Sequence, residues 1–293
     1  MTSHEFSSAG NSNPIRMNDK RGSSLLSNPN NSLAVPFSTT AKLVYQVPPE
    51  GGVWAYFHIN SDPITSEKKT NIVYQEKEIV VENVCGKEDA LFLDTSGFQY
   101  FHHPAQHKPF NNDEEIVREY YPESIELLKK LTGASRVEIL TIRRRRRGQV
   151  EDTPTSRQPV SQVHIDQTNK AAVVRLEQHL ASEAAELQKR CFKIINLWRP
   201  INHPVYDWPL ALKRTLCDFR SVEKKDAFPW ALVFKDREFR GSWKYLDGMT
   251  PDELVLIKCV ALYTLHTGFE DPAMPAGSPP RESIELRAFV FYD

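Results

Sequence analysis

The sequence predicts a mainly β fold, an antiparallel sandwich or jelly roll with flanking helices. Runs of β-branched and bulky residues, separated by turn residues, dominate both ends of the 293-residue chain. Only residues 112–132 and 169–190 have the composition and apolar spacing of helices. Strands do not alternate with helices and no segment repeats, so the pattern disfavours a parallel α/β fold and a repeat fold.

The chain is expected to contain one folded domain after a disordered tail. Residues 1–38 are rich in Ser, Asn and Gly, and such a segment buries too little apolar surface to offset the entropy lost on ordering. Residues 39–293 are numerous enough for a single large β domain. We therefore predict a tail over residues 1–38 and one domain over residues 39–293.

Composition limits the classes of partner and location. The net charge is −1, which disfavours a general binder of nucleic acid. No apolar run is long enough to cross a membrane or to form the core of a signal peptide. The four cysteines are scattered without a CxxC pair, which is typical of free thiols in a reducing compartment. We expect a cytoplasmic protein without nucleic-acid or membrane partners.

The first strands are predicted to form an antiparallel meander that begins near Ala41. Its strand-like runs, separated by turn residues, are 72–74, 79–81 and 90–93. Later strands are predicted over residues 137–142, 191–198, 231–234, 257–265 and 283–292. A long connection is expected over residues 201–229, and the capping-box pattern from Thr250 to Glu253 predicts a short helical turn.

Two helical segments interrupt the strands. Pro122 cannot occupy a helix interior without removing a backbone hydrogen bond, so it should begin the second of two short helices within residues 112–132. Gly133 should cap that second helix. Residues 169–190 lack Gly and Pro and carry apolar residues at three- and four-residue steps, which predicts one long helix. This helix could also serve as the face of a homodimer.

Five consecutive arginines, residues 143–147, follow the strand predicted over residues 137–142. Such a run could contact phosphates. Because the net charge is near zero and no aromatic residues interrupt the run, we interpret it as a strand end. Its outward arginines would then be solvated and its inward arginines paired with acids.

The stretch from Val163 to Asp166 carries a candidate metal site. Residues i and i+2 of a strand point to the same face, so His164 and Asp166 could bind one metal ion together. Two histidines and one carboxylate around open positions are the usual arrangement for non-haem Fe(II). An HxD pair alone also occurs by chance, so the interpretation depends on a second histidine.

His266 could be that second histidine, although a core histidine bonded to a backbone carbonyl would give the same pattern. Arg281 and Ser283 follow at the head of the last strand and share one of its faces. A guanidinium beside a hydroxyl suits a carboxylate, although Arg281 could instead pair with Asp271 or Glu282 at the surface. The order HxD, distal histidine, RxS is the order that 2-oxoglutarate oxygenases use.

Five stretches resemble a fungal and bacterial family of non-haem Fe(II)/2-oxoglutarate-dependent oxygenases. That family includes gibberellin desaturase-like proteins, a cephamycin methoxylation protein and a fungal meroterpenoid endoperoxygenase. The stretches are residues 131–137, 163–166, 196–201, 249–254, and 266–272 leading to 280–285. The resemblance implies a double-stranded β-helix, which is a cupin-like jelly roll, and the oxidation of small natural products. Gly268 replaces an expected alanine and Gln167 a common aromatic, so the pocket walls and the substrate stay open.

The resemblance also implies roles for particular residues. His164, Asp166 and His266 would be the catalytic ligands of Fe(II), and 2-oxoglutarate would chelate the iron. The distal carboxylate of 2-oxoglutarate would contact Arg281 and Ser283. O2 and an apolar small molecule such as a terpenoid would be the other reactants. Hydroxylation, desaturation and endoperoxide formation all stay open.

Alternatives remain for two further arginines and for the function itself. Arg199 could orient cofactor or substrate, or it could be a structural arginine stacked on Trp198. Arg287 shares strand parity with Arg281 and is the fallback partner for the carboxylate of 2-oxoglutarate. The alternative functions are a jelly-roll binding protein without turnover and a cupin-type metalloenzyme that does not use 2-oxoglutarate.

Overall fold

The computed structural model describes residues 37–47, 50–53, 56, 70–148, 156–215, 231–232, 241–260 and 263–293. The strands are β1 (Ser38–Val47), β2 (Val73–Asn83), β3 (Phe98–His102), β4 (Arg136–Arg146), β5 (Ser156–Arg157), β6 (His164–Ile165), β7 (Cys191–Pro200), β8 (Leu210–Thr215), β9 (Ala231–Leu232), β10 (Trp243–Tyr245), β11 (Glu253–Lys258), β12 (Tyr263–Gly268) and β13 (Glu282–Tyr292). The α-helical segments are α1 (Leu93–Ser96), α2 (Asp113–Glu115), α3 (Tyr121–Thr132), α4 (Asn169–His179) and α5 (Ala184–Leu187).

The strands form two sheets. One sheet has seven strands in the order β1-β2-β10-β8-β12-β6-β9, and the other has six in the order β3-β11-β7-β13-β4-β5. Pairing is antiparallel except between β10 and β2 and between β4 and β5. This architecture is a double-stranded β-helix, which confirms the predicted fold class.

The two sheets meet where the candidate metal ligands lie. In the seven-stranded sheet, His164 of β6 lies directly opposite His266 of β12. In the six-stranded sheet, Asn196 of β7 lies opposite Arg287 of β13. The Asn196 amide donates a hydrogen bond to Asp166, which follows β6, and this bond links the two sheets. The candidate ligands therefore lie between the sheets.

The helical segment over residues 112–132 covers the other face of the six-stranded sheet. Pro122 lies in the first turn of α3, a π-helical turn (Ile116–Tyr120) precedes that helix, and Gly133 ends it with a φ of 71°. The buried residues of this layer form one cluster, which includes Tyr120, Leu127, Leu128, Ile195, Leu197, Leu254, Leu256, Ile284 and Leu286. Fully burying one such aliphatic side chain contributes about 1.5–3 kcal/mol, so this layer holds the sheet rigid behind the site.

The prediction of one long helix over residues 169–190 is wrong. The structure divides it into α4 and α5, and α4 ends where Leu180 leaves helical geometry with φ −125° and ψ 46°. Ala172 and Leu176 of α4 and Ala184 and Leu187 of α5 all lie in one apolar cluster. The break therefore lets both pieces bury their apolar faces together, and this burial outweighs the helix propensity of the sequence.

The predicted strand over residues 90–93 is also wrong. Phe92 is exposed, and Leu93 begins α1, which ends at Gly97 in a left-handed conformation with a φ of 81°. A short apolar run does not distinguish a strand from a helical turn, which is the reason for the error. The runs over residues 72–74 and 79–81 belong to a single strand, β2.

Residues 257–265 form parts of two strands in different sheets rather than one strand. β11 ends at Lys258, and β12 begins at Tyr263 in the opposite sheet. Both strands are almost fully buried, so their sequences read as one continuous apolar run. Thr250 contacts Glu253 as a capping box would, but a single turn there leads directly into β11.

Some predictions fall outside the described residues. The expected connection over residues 201–229 contains β8, and residues 216–230 within it are not among those described. Only Ala231–Leu232 of the strand predicted over residues 231–234 is described. The tail predicted over residues 1–38 lies outside the described part except for its last two residues, so the domain boundary stays a prediction. Among the described helices, none has the length and apolar character needed to span a membrane.

Candidate metal centre

Three side chains from two neighbouring strand regions converge in the protein interior. The rings of His164 and His266 lie with their centroids 4.2 Å apart, and Asp166 follows His164 on the same face. One ligand atom from each residue lies within 4.8 Å of the other two. Two imidazoles and one carboxylate at this spacing fit a single divalent ion with open positions beside it.

Both histidines are oriented by the backbone of their own strands. Nδ1 of His164 donates to the carbonyl oxygen of Gln162 at 2.8 Å, and Nδ1 of His266 donates to that of Thr264 at 3.1 Å. In a neutral ring the lone pair is then on Nε2, which is the atom needed for metal binding. Nε2 of His266 lies 3.5 Å from Oδ2 of Asp166, so this atom points to the centre of the group.

The carboxylate of Asp166 is held from the opposite sheet by two side chains. Nη2 of Arg287 lies 2.5 Å from its Oδ1, and Nδ2 of Asn196 donates to its Oδ2 at 2.5 Å. Arg287 also donates from Nε to the amide oxygen of Asn196 at 3.0 Å, which closes a triangle of contacts. The paired positions of these two residues on β13 and β7 fix the triangle.

The surroundings give the ligands the charge states that a metal requires. The pKa of His164 is lowered to about 3, mainly by burial and next by the neighbouring His266. Burial is the largest single influence on the pKa of Asp166 and raises it. The charge of Arg287, the two histidines and the hydrogen bond from Asn196 together outweigh burial and hold that pKa well below its usual range. His164 is therefore a neutral imidazole and Asp166 an ionised carboxylate at neutral pH, as metal binding demands.

A buried thiol completes the shell around Asp166. Sγ of Cys259 lies 3.6 Å from Oδ2 of Asp166, within reach of a weak S–H hydrogen bond. Burial raises the pKa of this thiol, and the negative charge of Asp166 acts in the same direction. Cys259 is therefore protonated and acts as a weak donor.

Arg281 and Ser283 lie together at the start of β13, as their spacing predicted. Arg281 is 2% exposed, and its Nε donates to Oγ of Ser283 at 3.2 Å. Its Nη1 donates to the carbonyl oxygen of Trp208 at 2.8 Å, and its guanidinium lies 5.0 Å from the ring centre of Trp198. Trp208 adopts a φ of 49°, which is uncommon for a bulky residue and directs its carbonyl toward the arginine.

Asp207 is the nearest acid to the Arg281 backbone, yet it does not pair with the guanidinium. Its Oδ2 accepts from the backbone N–H of Arg281 at 3.0 Å, and its Oδ1 pairs with Arg147. The alternative in which Arg281 pairs with Asp271 or Glu282 is not observed in the described part of the chain. Oδ1 of Asp271 instead accepts from Thr39, and Glu282 lies near Arg146 and Asn202.

Gly268 borders the guanidinium of Arg281 closely. A Cβ at this position would lie 3.1 Å from Nη1 of Arg281 and 3.4 Å from Cε3 of Trp208. This contact is tighter than ordinary van der Waals distance, so the missing methyl group leaves the room that Arg281 occupies. Glycine at position 268, where alanine is expected, therefore affects the space available to the Arg281 guanidinium.

Arg199 is not brought to this group of residues. It is 1% exposed, donates from Nη1 to the carbonyl oxygen of His103 at 3.2 Å, and lies over the ring of Tyr120. Asn196 and Trp198 of the same strand face the site, so alternation turns Arg199 toward the helical layer. Its contacts are those of a structural arginine, although it stacks on Tyr120 rather than on Trp198.

Arg287, the fallback partner for 2-oxoglutarate, is engaged elsewhere. Besides Asp166 and Asn196, it pairs through Nη2 with Glu285 at 3.2 Å. These contacts place its guanidinium against the candidate metal ligand Asp166, and Glu285 already provides a second carboxylate partner. The sequence did not single out Asn196, although its position two residues before Trp198 places the two side chains on the same strand face.

Comparisons with known proteins identify the family. A family model described as an oxidoreductase/YMDC permease-like domain matches residues 43–291. The hydroxylase/desaturase efuI of Hormonema carpetanum is 31% identical over 264 residues, which cover 76% of this chain and 86% of that protein. The chain belongs to this family of Fe(II)/2-oxoglutarate-dependent hydroxylases and desaturases. It is an enzyme of the non-haem iron class, with Fe(II) and 2-oxoglutarate as its cofactors.

Other members of the family agree with this assignment. The Fe(II)/2-oxoglutarate-dependent dioxygenase nvfI of Aspergillus novofumigatus is 27% identical over 266 residues, covering 84% of this chain and 94% of that protein. A solved structure of the iron and alpha-ketoglutarate-dependent endoperoxidase NvfI superposes with a TM-score of 0.76 at 24% identity. That match covers 88% of this chain and 99% of the other, and it supports the double-stranded β-helix. Family membership favours an oxygenase over a binding protein and over a cupin-type enzyme without 2-oxoglutarate.

Proposed function

We propose that this oxygenase holds Fe(II) through His164, Asp166 and His266 and oxidises an apolar natural product such as a terpenoid or meroterpenoid. The observation that carries the iron site is the convergence of the three ligand atoms within 4.8 Å. The histidine tautomers and the ionised state of Asp166 support it, because a metal needs Nε2 lone pairs and a deprotonated carboxylate.

The distal carboxylate of 2-oxoglutarate binds to Arg281 and Ser283. A buried guanidinium beside a hydroxyl offers a charged and a neutral hydrogen-bonding group on one strand face. The bonds of Arg281 to Ser283 and to the Trp208 carbonyl fix the plane of the guanidinium before the ligand enters. Such preorganisation lowers the entropy cost of binding.

Fe(II) held by His164, Asp166 and His266 would, with 2-oxoglutarate and O2, supply the oxidising chemistry for removal of hydrogen from the substrate, and succinate and CO2 would be the co-products. The chain itself orients the ligands and excludes water. Asn196 and Arg287 fix the rotamer of Asp166, and the two backbone carbonyls fix the planes of the imidazoles. This support limits the positions from which the oxidant can reach a substrate carbon.

Apolar side chains continue the inner faces beyond the metal centre. Trp198 lies two residues from Asn196, and Leu210 lies two residues from Leu212, which pairs with His266. A small cavity in this region is lined by Tyr100, Trp198, Val205, Pro209, Leu210, Leu246, Met249 and Val255. With a volume of about 10 Å³ this cavity is no larger than a water molecule, so the apolar character of its lining, rather than its size, supports an apolar substrate.

The relatives indicate which products to look for. The relative efuI carries the name hydroxylase/desaturase, and NvfI is named as an endoperoxidase. We propose that this chain follows one of these three courses: hydroxylation, desaturation or endoperoxide formation. All three begin with hydrogen abstraction, so one assay detects them.

That assay measures the succinate released from 2-oxoglutarate in the presence of each of a series of terpenoid, meroterpenoid and polyketide compounds, tested one at a time as substrates. The wild-type enzyme with Fe(II) should release succinate faster with at least one compound than without any, and the product is then identified by mass. Asp166→Ala should lose this stimulation because it lacks a metal ligand. Equal stimulation in the variant would contradict the assignment of the iron site. Stimulation confined to polyketides would contradict the terpenoid class.

Location and partners complete the proposal. We propose a cytoplasmic enzyme that requires no nucleic acid and forms a homodimer through residues 169–190. Exposed positions on α4, among them Lys170, Glu177 and Gln178, leave one side of that helix available. Light scattering of the purified chain should give twice the mass of 33.6 kDa, and a single mass would contradict the dimer.

A further inference from the structure

The run of five arginines divides between the two faces of its sheet. Arg144 turns outward, where it pairs with Asp113 and donates to the Phe110 carbonyl oxygen. Arg146, which also turns outward, lies 3.6 Å from Glu282. Arg145 therefore turns inward, and it lies in register opposite Ser283 of β13. The last member, Arg147, also turns inward and pairs with Asp207.

Arg145 and Arg281 form a pair of guanidinium groups on either side of Ser283. Nη1 of Arg145 donates to the carbonyl oxygen of Gln158 at 3.0 Å, and Arg281 donates to Ser283 and to the Trp208 carbonyl. All of these acceptors are neutral. Across the residues that the structure describes, neither guanidinium forms an ion pair with a carboxylate.

The acids closest to this pair already have partners. Asp207 pairs with Arg147 and accepts from the Arg281 backbone, and Glu285 pairs with Arg287. Arg281 is buried and Arg145 is half-buried, so leaving both guanidinium groups without a counter-ion costs desolvation free energy, and their mutual repulsion adds to that cost. Among the described residues, the guanidinium groups of Arg145 and Arg281 therefore have no negatively charged partner.

The electrostatics of the site agree with this arrangement. Burial lowers the pKa of Arg281 to about 9, and the charge of Arg145 is the next cause. The charge of Arg145 therefore acts directly on the guanidinium of Arg281, in agreement with the register of β4 against β13.

We propose that Arg145 is a second guanidinium for the distal carboxylate of 2-oxoglutarate and binds it together with Arg281 and Ser283. This inference rests on the proposed function of the site. The carboxylate supplies the missing counter-charge between the two arginines. Arg145 lies on β4 and Arg281 directly precedes the neighbouring β13, so the register of these two strands sets the spacing of the two guanidinium groups.

The test compares two 2-oxo acids that differ only in the distal carboxylate. The probes are 2-oxoglutarate and 2-oxopentanoate, each titrated into anaerobic enzyme loaded with Fe(II). The readout is the visible absorption that develops when a 2-oxo acid chelates the iron. Arg145→Gln should raise the Kd of 2-oxoglutarate about tenfold or more, because it removes a charge-assisted hydrogen bond. The Kd of 2-oxopentanoate should change less than about twofold, because that acid has no distal carboxylate to lose the bond.

Two further variants guard against a general disturbance of the fold. Arg146→Gln removes a neighbouring charge from the outward face and should leave both affinities unchanged. Arg145→Lys keeps the positive charge but loses the bidentate geometry of the guanidinium. Its Kd for 2-oxoglutarate should lie between those of wild type and Arg145→Gln, and its Kd for 2-oxopentanoate should not change. Thermal unfolding of each variant shows whether it is folded.

Several results would overturn the inference. Unchanged 2-oxoglutarate affinity in Arg145→Gln would do so and would direct attention to a carboxylate on the oxidised substrate. An equal loss for both 2-oxo acids would also do so, since the effect would then not involve the distal carboxylate. If wild type develops no absorption with either acid, the proposed function itself fails, and that outcome is distinct from the other two.

Discussion

The guanidinium of Arg287 lies 2.5 Å from Oδ1 of Asp166, although Arg287 belongs to the six-stranded sheet and Asp166 follows β6 of the seven-stranded sheet. This pair leaves Oδ2 of Asp166 directed toward His266, with Asn196 as its second support. The ion pair, together with the two histidines and Asn196, keeps the carboxylate ionised against the effect of burial. The six-stranded sheet therefore positions a candidate metal ligand that follows β6 of the seven-stranded sheet.

Replacing Arg287 should weaken metal binding. Arg287→Gln removes both the ion pair and the bond to Asn196, and loss of such support commonly costs about 10–100-fold in metal affinity. Competition with a coloured Fe(II) chelator measures the Kd. Arg190→Gln, which removes an exposed arginine paired with Asp293, is the matched control and should bind iron as wild type does. Wild-type iron affinity in Arg287→Gln would show that Asp166 is held without this pair.

A methyl group at position 268 should disturb the 2-oxoglutarate site while sparing the metal. In Gly268→Ala the new Cβ would lie 3.1 Å from Nη1 of Arg281, which is fixed by its bond to Trp208. We expect the Kd of 2-oxoglutarate to rise by roughly three- to tenfold, equivalent to about 0.7–1.4 kcal/mol. The Kd of Fe(II) should stay constant. Tighter 2-oxoglutarate binding in this variant would mean that Arg281 moves toward the ligand instead.

The metal-free protein should lose stability as the pH is lowered, because His164 takes up a proton more readily in the unfolded state than in the folded state. Its folded pKa of about 3 lies below the unfolded value of about 6.5, so only the unfolded state takes up the proton between those values. Stability is then complete above about pH 6.5 and falls below it, with a limiting slope of about 1.4 kcal/mol per pH unit. Asp166, whose pKa is also lowered, adds to this loss only below about pH 4.

Urea unfolding at pH 7, 6 and 5 measures this slope. In His164→Gln, unfolding should take up about one proton fewer than in wild type. The variant should therefore lose less stability than wild type between pH 7 and pH 5. His179→Gln changes an exposed residue at the end of α4 and serves as the control. An identical slope in wild type and His164→Gln would contradict a neutral buried imidazole.

Arg199 should act on stability rather than on cofactor binding. Its Nε and Nη2 are buried without a hydrogen-bond partner among the described residues, so the buried charge is only partly compensated. Arg199→Met keeps the apolar packing against Tyr120, and such replacements are often neutral or stabilising by about 1–4 kcal/mol. The Kd of 2-oxoglutarate should not change. A rise comparable with that in an Arg281 variant would return Arg199 to the cofactor site.

The sequence was sufficient to place two pairs of candidate site residues together, because each pair follows a local rule. His164 and Asp166 share a strand face by spacing alone, and Arg281 and Ser283 do so at the head of β13. The contact between His164 and His266 depends on β6 pairing with β12, which no local pattern encodes. The family resemblance supplied that information.

The remaining features depend on contacts between elements that are distant in the sequence. The division of residues 257–265 into β11 and β12 is hidden because both strands are buried and apolar. The break between α4 and α5 follows from packing against Phe289 and Phe291, which lie on the last strand. The inward direction of Arg145 follows from the register of β4 against β13, whereas the sequence offers only five identical residues.

The visible absorption of the anaerobic enzyme with Fe(II) and 2-oxoglutarate tests the central claim most directly. Wild type should develop this absorption as 2-oxoglutarate chelates iron held by His164, Asp166 and His266. Asp166→Ala should not develop it at the same iron concentration, while Arg281→Lys should develop it only at higher 2-oxoglutarate concentrations. Absence of the absorption in wild type at saturating iron, or its full presence in Asp166→Ala, would contradict the account.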